Sequence, residues 1–128
     1  MILASVIDAG ASVARLKEAL DGLNVKGFTL SHKPGRRGGV TGTLVSVDLD
    51  EDGRRRRQWR DFIEIVERST LPAKVVERAR AVFRRLAEAE AMAHGSSIEE
   101  VQLHELGELD TLVDVVGSIV GLELLGIE

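Results

Sequence analysis

The stretch that decides the fold lies near the end of the chain and reads, from Glu108 to Leu125, ELDTLVDVVGSIVGLELL. It is the most apolar part of the sequence, and its apolar side chains cover more than one face of a helix. Gly117 and Gly121 are four residues apart, so they share one helical line along which another backbone can approach closely. The pattern predicts a helix over Glu108–Leu125 at the centre of the fold or at an interface.

Apolar side chains at helical spacing predict further helices upstream of this stretch. The predicted segments are Met1–Gly10, a helix from the N-cap Ser12 to Gly22, a helix that starts at Trp59, a long helix from a cap at Ser69 or Thr70 to Gly95, and a short helix capped by Ser96 or Ser97. The long helix carries an apolar stripe that includes Val75, Ala79 and Phe83. We expect it to be the longest rigid element of the chain.

Between the second and third helices the apolar pattern changes from the helical repeat to the strand repeat. Phe28, Leu30 and His32 alternate with polar residues, and the alternation resumes over Val40–Leu49. The glycine-rich stretch Pro34–Gly39 has turn chemistry, which predicts a β-hairpin with a basic tip. The charged run at 50–57 predicts a flexible, solvated linker. The fold class is therefore α+β: a mostly helical single domain over residues 1–128 with a β-hairpin or small sheet.

Composition narrows the classes of function. The chain has 17 Lys and Arg against 21 Asp and Glu and only 3% aromatic residues, so it lacks the charge and the stacking surface of a nucleic-acid binder. It has no cysteine, which excludes disulfides and thiolate metal sites and predicts a cytoplasmic protein. No apolar run approaches the roughly 18 residues of a membrane-spanning helix, so we expect no membrane partner.

One cluster of side chains suits metal chemistry. The sequence from Gln102 to Asp110 reads QLHELGELD, and Asp114 follows one helical turn later. His104, Glu105, Asp110 and Asp114 supply an imidazole and three carboxylates, donor types that suit nickel, zinc, manganese or iron. The spacing permits a divalent metal site at the start of the last helix. The same acids also fit an arrangement without metal, because acidic residues cap and stabilise a helix N-terminus.

Other candidates for chemistry are weaker. His32 is predicted on one face of a strand, and His94 at a helix C-terminus, where a cation meets the negative end of the dipole. Arg54–Arg57, together with Arg36 and Arg37, fit the phosphates of a nucleotide, although charge runs of this kind more often form solvated segments. The sequence has no Gly-x-Ser-x-Gly elbow and no Walker or dinucleotide loop, so no catalytic or cofactor-binding residue is assigned.

Across most of its length the sequence resembles the LarC-type nickel insertion proteins, the pyridinium-3,5-bisthiocarboxylic acid mononucleotide nickel chelatases that load the nickel-pincer cofactor of lactate racemase. The segments that carry the resemblance are Met1–Gly10, Gly39–Thr43, Leu71–Ala91, His94–Gly95, Glu99–Val101, His104–Gly107, Asp110, Val113–Asp114 and Val116–Gly117. The resemblance implies an N-terminal module of such a protein, in a family that couples nickel loading to CTP hydrolysis. It also implies nickel as the metal, held by His104, Glu105, Asp110 and Asp114.

The chain departs from that family at several positions. Gln102 stands where the family has a histidine, and residues 48–57 lack the histidines of the family's linker. The family's opening strand, Asp-Cys-Phe-Ser-Gly-Ile-Ser-Gly-Asp, would precede Met1, and a large C-terminal half with the expected nucleotide site would follow. We therefore expect this chain not to complete the reaction alone, and to work with that C-terminal half. An open sheet edge also predicts self-association, through the hairpin or the helix over Val113–Leu124.

The alternative from a different class is a structural or oligomerisation module without a metal site. In that case the acids of the cluster are helix caps. The face that carries Gly117 and Gly121 would then pack against a second copy of the chain.

Overall fold

Five α-helices and one antiparallel two-stranded sheet make up residues 1–128 in the computed structural model, which confirms the α+β class. In chain order the elements are α1 (Ile2–Asp8), α2 (Val13–Asp21), β1 (Phe28–Arg37), β2 (Val40–Leu49), α3 (Trp59–Glu67), α4 (Ala73–His94), a 3₁₀ turn (His104–Leu106) and α5 (Leu109–Leu124). None of the helices is long and apolar enough to cross a membrane.

Helix α5 is the centre of the fold, as its apolar sequence predicts. Eight of its residues are buried, and it packs against α1, α2, α4 and β2. Gly117 and Gly121 face α1: a Cβ on Gly121 would lie 2.9 Å from the Cβ of Val6, and one on Gly117 would lie 3.0 Å from Cδ1 of Leu3. We call these four residues the glycine seam. Because α1 occupies this line, the line is not free to pair with a second copy.

The remaining helices complete one hydrophobic core around α5. Ser12 caps α2 as predicted, since its hydroxyl accepts a hydrogen bond from the backbone N–H of Arg15 at 3.3 Å. Helices α3 and α4 meet at Phe62 and Phe83, whose ring centres are 5.2 Å apart. Both rings are fully buried. This contact therefore fixes how α3 lies against the N-terminal half of α4.

The hairpin is longer and its turn tighter than the sequence predicts. The register runs from Phe28 opposite Leu49 to Arg37 opposite Val40, so the stretch expected as a turn mostly belongs to β1. The turn itself is Gly38–Gly39, with φ of 56° and 80°. Two-residue hairpin turns require such left-handed angles, which glycine adopts without strain. Beyond Leu30, β1 has no buried residue, so the outer half of the hairpin stands free of the core.

Two helix boundaries differ from the prediction. Helix α4 begins at Ala73 with Pro72 as its N-cap, because the hydroxyl of Ser69 is engaged in a local turn, donating to Val66 O and accepting from Leu71 N. The short helix expected after Ser97 is only a turn, in which the N–H groups of Glu100 and Val101 donate to the Ser97 carbonyl. Gly95 ends α4 in the left-handed conformation, as predicted.

Candidate functional site

A return segment, residues 95–103, brings the end of α4 close to the start of α5. The indole N–H of Trp59 donates to the carbonyl of Ile98 at 3.2 Å, which ties the segment to α3. Val101 packs against Ala87 and Ala91 of α4, and Leu103 is buried in the main core. These contacts fix the direction in which the chain leaves Leu103, and so they position the 3₁₀ turn that follows.

That turn places the imidazole of His104 against the imidazole of His94. Their ring centres are 4.6 Å apart and the ring planes are inclined by 50°. Both residues are exposed. Nε2 of His94 lies 3.2 Å from a carboxylate oxygen of Glu90, one turn earlier on α4. We call His94 and His104 the imidazole pair. Sequence reasoning assigned His94 only to a helix end, because its contact with His104 depends on the return segment.

His104 adopts a backbone conformation that favours glycine. Its φ is 35°, and Asn24 is the only other residue besides glycine with positive φ. A non-glycine residue in this region costs about 1–3 kcal/mol, which the surrounding structure must offset. Burial of Leu103 and the hydrogen bond from Leu106 N to the Leu103 carbonyl, at 2.6 Å, hold the turn in place. Strained residues of this kind concentrate at functional sites.

The segment at 50–57 forms the other wall of the site. Backbone hydrogen bonds join Arg57 N to the carbonyl of Gly107 (2.8 Å) and Leu109 N to the carbonyl of Gly53 (3.1 Å). Gly53 and Arg57 are buried, so the interpretation of this stretch as a solvated linker is wrong for these residues. A Cβ on Gly107 would lie 2.9 Å from the Arg57 carbonyl oxygen, so this close approach depends on glycine.

A crevice with a volume of about 220 Å³ opens between this wall and the return segment. Its lining residues are Arg56, Arg57, Gln58, Gln102, Leu103 and His104. His104 therefore lies at the meeting point of the imidazole pair and a polar crevice that contains no carboxylate. The arginine run, weighed in the sequence as a phosphate-binding feature, contributes Arg56 and Arg57 to this crevice.

The four predicted metal ligands do not converge in this chain. No group of three or more His, Cys, Asp or Glu side chains lies close enough to hold a metal ion. His104 and Glu105 are exposed in the 3₁₀ turn, whereas Oδ1 of Asp110 accepts a hydrogen bond from Thr111 N at 2.9 Å. Asp114 lines a different, mostly apolar crevice beside Met1. The spacing along the helix brings the two aspartates together, but it does not bring them to His104.

Asp114 is an exposed residue of α5, but its carboxyl group lies beside apolar neighbours that partly exclude water. Burial raises the pKa of its carboxyl group, the negative charge of Asp110 adds to the rise, and the Met1 amino group opposes it. Val82, Val115, Ile119 and Leu122 are among the neighbours that line its crevice. Desolvation by apolar neighbours disfavours the charged form of a carboxyl group. The raised pKa of Asp114 bears on the stability of the fold and not on metal binding, because no imidazole lines that crevice.

The spacing of the imidazole pair matches that of two imidazole ligands on one divalent ion. With metal–nitrogen bonds of about 2.1 Å, two imidazoles on one ion have ring centres roughly 4.6 Å apart at a right angle and roughly 5.3 Å apart at the tetrahedral angle. The observed 4.6 Å matches the right-angle arrangement. A carboxylate partner on Nε2, here from Glu90 to His94, orients such a ring and leaves Nδ1 as its free donor. Two ligands leave most of the coordination positions of the ion open.

Comparison with known proteins identifies the class of this chain. The family model described as nickel insertion protein matches residues 1–128. A putative nickel insertion protein of Roseiflexus castenholzii is 43% identical over 128 residues, which cover all of this chain and 32% of the relative. One of Citrifermentans bemidjiense is 41% identical, again over the whole chain and 33% of the relative. No solved structure matches the chain.

The chain therefore belongs to the nickel insertion protein family, as the resemblance predicts. A third relative, from Desulfitobacterium hafniense, is named pyridinium-3,5-bisthiocarboxylic acid mononucleotide nickel insertion protein and is 38% identical over all of this chain. That match covers 32% of the relative. The chain thus spans about a third of the length of the curated relatives it matches, and the match falls in their N-terminal part.

Proposed function

We propose that this chain is the N-terminal module of a nickel insertion protein, which presents nickel to a pyridinium-bisthiocarboxylic acid mononucleotide. Family membership supports nickel handling, and the name of the Desulfitobacterium hafniense relative supplies the acceptor. The observation that carries the proposal for this chain is the imidazole pair, whose two rings are exposed, 4.6 Å apart and beside an open crevice.

An incomplete ligand set suits a protein for which nickel is cargo. A closed four-ligand site holds its ion as a structural element, whereas open positions let another ligand enter. Imidazole suits nickel, and the sulfur atoms of a thiocarboxylate are softer donors that form strong bonds to late divalent metals. Nickel held by two imidazoles and water can therefore pass to an acceptor that binds through the open positions.

His104 is the primary ligand in this proposal, and His94 is its partner. Glu105 follows His104 in the exposed 3₁₀ turn, and because it forms no three-ligand group with the two rings, its carboxylate would join them only after the side chain moves. Asp110 and Asp114 complete the predicted set and remain predictions. They would reach the ion only after a rearrangement at the start of α5.

The complete reaction belongs to a longer protein in this proposal. We assign CTP dependence, and the lyase-type chemistry that it drives, to the part of the relatives outside the matched third. This chain alone would bind nickel and the acceptor without turning over. A cytoplasmic location stays a prediction from composition.

We further propose that the module self-associates through the outer half of the hairpin. Each of the two strands has one edge without a pairing partner, because the sheet contains only β1 and β2. Val40 and Leu44 on β2 are 73% and 50% exposed. Unpaired edges with apolar side chains pair readily with a second chain. Light scattering should show a dimer or larger species, and a monomer at millimolar concentration would contradict this assignment.

A chimera tests the nickel function within a complete protein. The N-terminal third of the Desulfitobacterium hafniense relative is replaced by this chain, and nickel insertion into the mononucleotide is followed by mass spectrometry. We expect the chimera to be active. His104→Ala in the chimera should reduce insertion by at least about tenfold, since it removes one of two protein donors.

His32→Ala is the matched control, because His32 is an exposed histidine on β1, remote in sequence from the imidazole pair. It should leave insertion unchanged. Equal activity of the His104→Ala and His32→Ala chimeras would contradict the proposed ligand. If the isolated chain also failed to bind Ni²⁺ in calorimetry, the structural alternative without a metal site would account better for the module.

A further inference from the structure

We propose that the crevice beside His104 binds the phosphate monoester of a nucleotide, as a subsite next to the imidazole pair. This inference rests on the proposed function for the identity of its natural ligand, the mononucleotide that accepts nickel. The crevice has a volume of about 220 Å³. Pockets for whole drug-sized ligands measure about 300–1,000 Å³. The crevice therefore suits one phosphate group and part of its sugar, with the rest of the ligand outside.

The lining of the crevice has the donor chemistry that phosphate requires. The residues that line it are two arginines, two glutamines, one histidine and one leucine. None of these groups is negative, although the chain as a whole has a net charge of −4. Phosphate oxygens accept hydrogen bonds from such groups, and arginine binds them in a bidentate geometry. The lining therefore favours an anion over a neutral or cationic ligand.

Arg57 is the buried anchor of this lining. The residue is 8% exposed, and its Nη1 donates to the carbonyl oxygens of Asp52 at 3.3 Å and Arg55 at 2.9 Å. Nη2 lies 3.9 Å from the Asp52 carboxylate, which is too far for a hydrogen bond. A guanidinium group has about five N–H donors, so those on Nη2 and Nε stay unpaired. No unpaired polar side-chain atom is fully buried, which means that these donors reach the surface.

The charge of Arg57 faces one ion-pair partner, Asp52, at 3.9 Å. Burial lowers its pKa, the positive charge of Arg55 lowers it further, and Asp52 and Asp61 oppose the change. The Asp61 carboxylate is already engaged, because it accepts a hydrogen bond from Gln58 N at 2.7 Å. Buried charges in proteins are normally paired. A phosphate group in the crevice would add a second negative charge to that of Asp52, which lies 3.9 Å from Nη2 of Arg57.

Arg56 provides a second guanidinium group at the mouth of the crevice. It is exposed, and none of the ion pairs in the chain involves it, unlike Arg55 and Arg57. Its side chain is thus free to close on a ligand. Arg54, two residues earlier, is equally exposed and unpaired but lies outside the lining. The two residues form a matched pair for an experiment.

Calorimetry with nicotinic acid mononucleotide tests the subsite in a phosphate-free buffer of fixed salt concentration. This probe carries a pyridinium ring, a ribose and one phosphate monoester. We expect it to bind the chain, and we expect the corresponding riboside, which lacks the phosphate, not to bind. Arg56→Gln should weaken binding about tenfold by removing a charged donor. Arg54→Gln should leave the affinity unchanged.

Three results would overturn the proposal. The first is equal binding of mononucleotide and riboside, and the second is an equal loss in the two arginine variants. The third is much tighter binding of CTP, which would assign the crevice to a triphosphate and not to a monoester. Ni²⁺ titration of the same proteins separates this inference from the proposed function. Arg56→Gln should bind Ni²⁺ like the wild type, whereas a chain that binds the mononucleotide but no Ni²⁺ would refute the nickel function and leave the subsite intact.

Discussion

The glycine seam and the imidazole pair show two ways in which this chain brings side chains together. In the seam, Gly117 and Gly121 lie on one line of a single helix, and the contact with α1 buries every residue involved. In the imidazole pair, two exposed rings from different elements meet through a folded return segment. The first contact stabilises the fold, and the second stores backbone strain at His104. Substitutions in the glycine seam should therefore reduce folding stability, whereas substitutions at the imidazole pair should reduce Ni²⁺ binding.

The largest loss of folding stability is expected from a substitution in the glycine seam. Gly121→Val should destabilise the fold by about 3 kcal/mol or more, because the new side chain would overlap Val6. Thermal unfolding followed by circular dichroism measures the change. Gly42→Val is the control, since nothing lies within 4 Å of a Cβ at Gly42. Val6→Ala added to Gly121→Val should recover part of the loss, and equal stability of the Gly121 and Gly42 variants would contradict the packing described for α1.

Substitution in the wall of the site, at Arg57, should reduce the stability of the fold less than substitution in the glycine seam. Arg57→Met should destabilise the chain by about 2 kcal/mol, because the carbonyls of Asp52 and Arg55 lose their donor while the side chain stays buried. Urea unfolding provides the measurement. Arg54→Met, at an exposed position without an ion pair, should change stability little. If both variants unfolded at the same urea concentration, the buried guanidinium would have no structural role.

Strain at His104 predicts that glycine at this position gives a more stable fold than alanine. His104→Gly should stabilise the chain by about 1 kcal/mol relative to His104→Ala, because glycine adopts a φ of 35° without a Cβ penalty. Both variants lack the imidazole, so both should lose Ni²⁺ binding. A glycine variant less stable than the alanine variant would contradict the strain described for this turn.

Substitution of Asp114 gives the smallest effect on stability, and the size of that effect depends on pH. Because burial raises the pKa of this carboxyl group in the folded chain, the ionised form destabilises the fold at neutral pH. Stability from this group is therefore gained as the pH falls through the raised pKa. Asp114→Asn should slightly raise the melting temperature at pH 7 and should match the wild type in acid, where both side chains are neutral. A lower melting temperature at pH 7 would show that the charge is stabilised by a partner.

The sequence predicts the parts of the fold that depend on local pattern. Helix α5, the cap at Ser12, the end of α4 at Gly95 and the two strands all follow from repeats and cap residues within a few positions. The sequence does not distinguish the tight turn at Gly38–Gly39 from the wider glycine-rich stretch, because Pro34 can occupy an edge strand as well as a turn.

The candidate site was predicted only in part. The donor type of His104 predicts it as a ligand, but its grouping with Asp110 and Asp114 requires neighbours in sequence to share one site, and these side chains do not converge. The contact with His94 and the burial of Arg57 depend on hydrogen bonds between segments about 50 residues apart, such as Arg57 N to the Gly107 carbonyl. A single sequence carries no local signal for such contacts.

Imidazole resonances in NMR spectra test the central claim most directly. The chain has three histidines, His32, His94 and His104, so each ring can be assigned and followed during a titration with paramagnetic Ni²⁺. Joint binding by the imidazole pair predicts that the signals of His94 and His104 broaden together at substoichiometric Ni²⁺ while the signal of His32 stays sharp. Equal broadening of all three rings, or none at stoichiometric Ni²⁺, would contradict a nickel site at this pair.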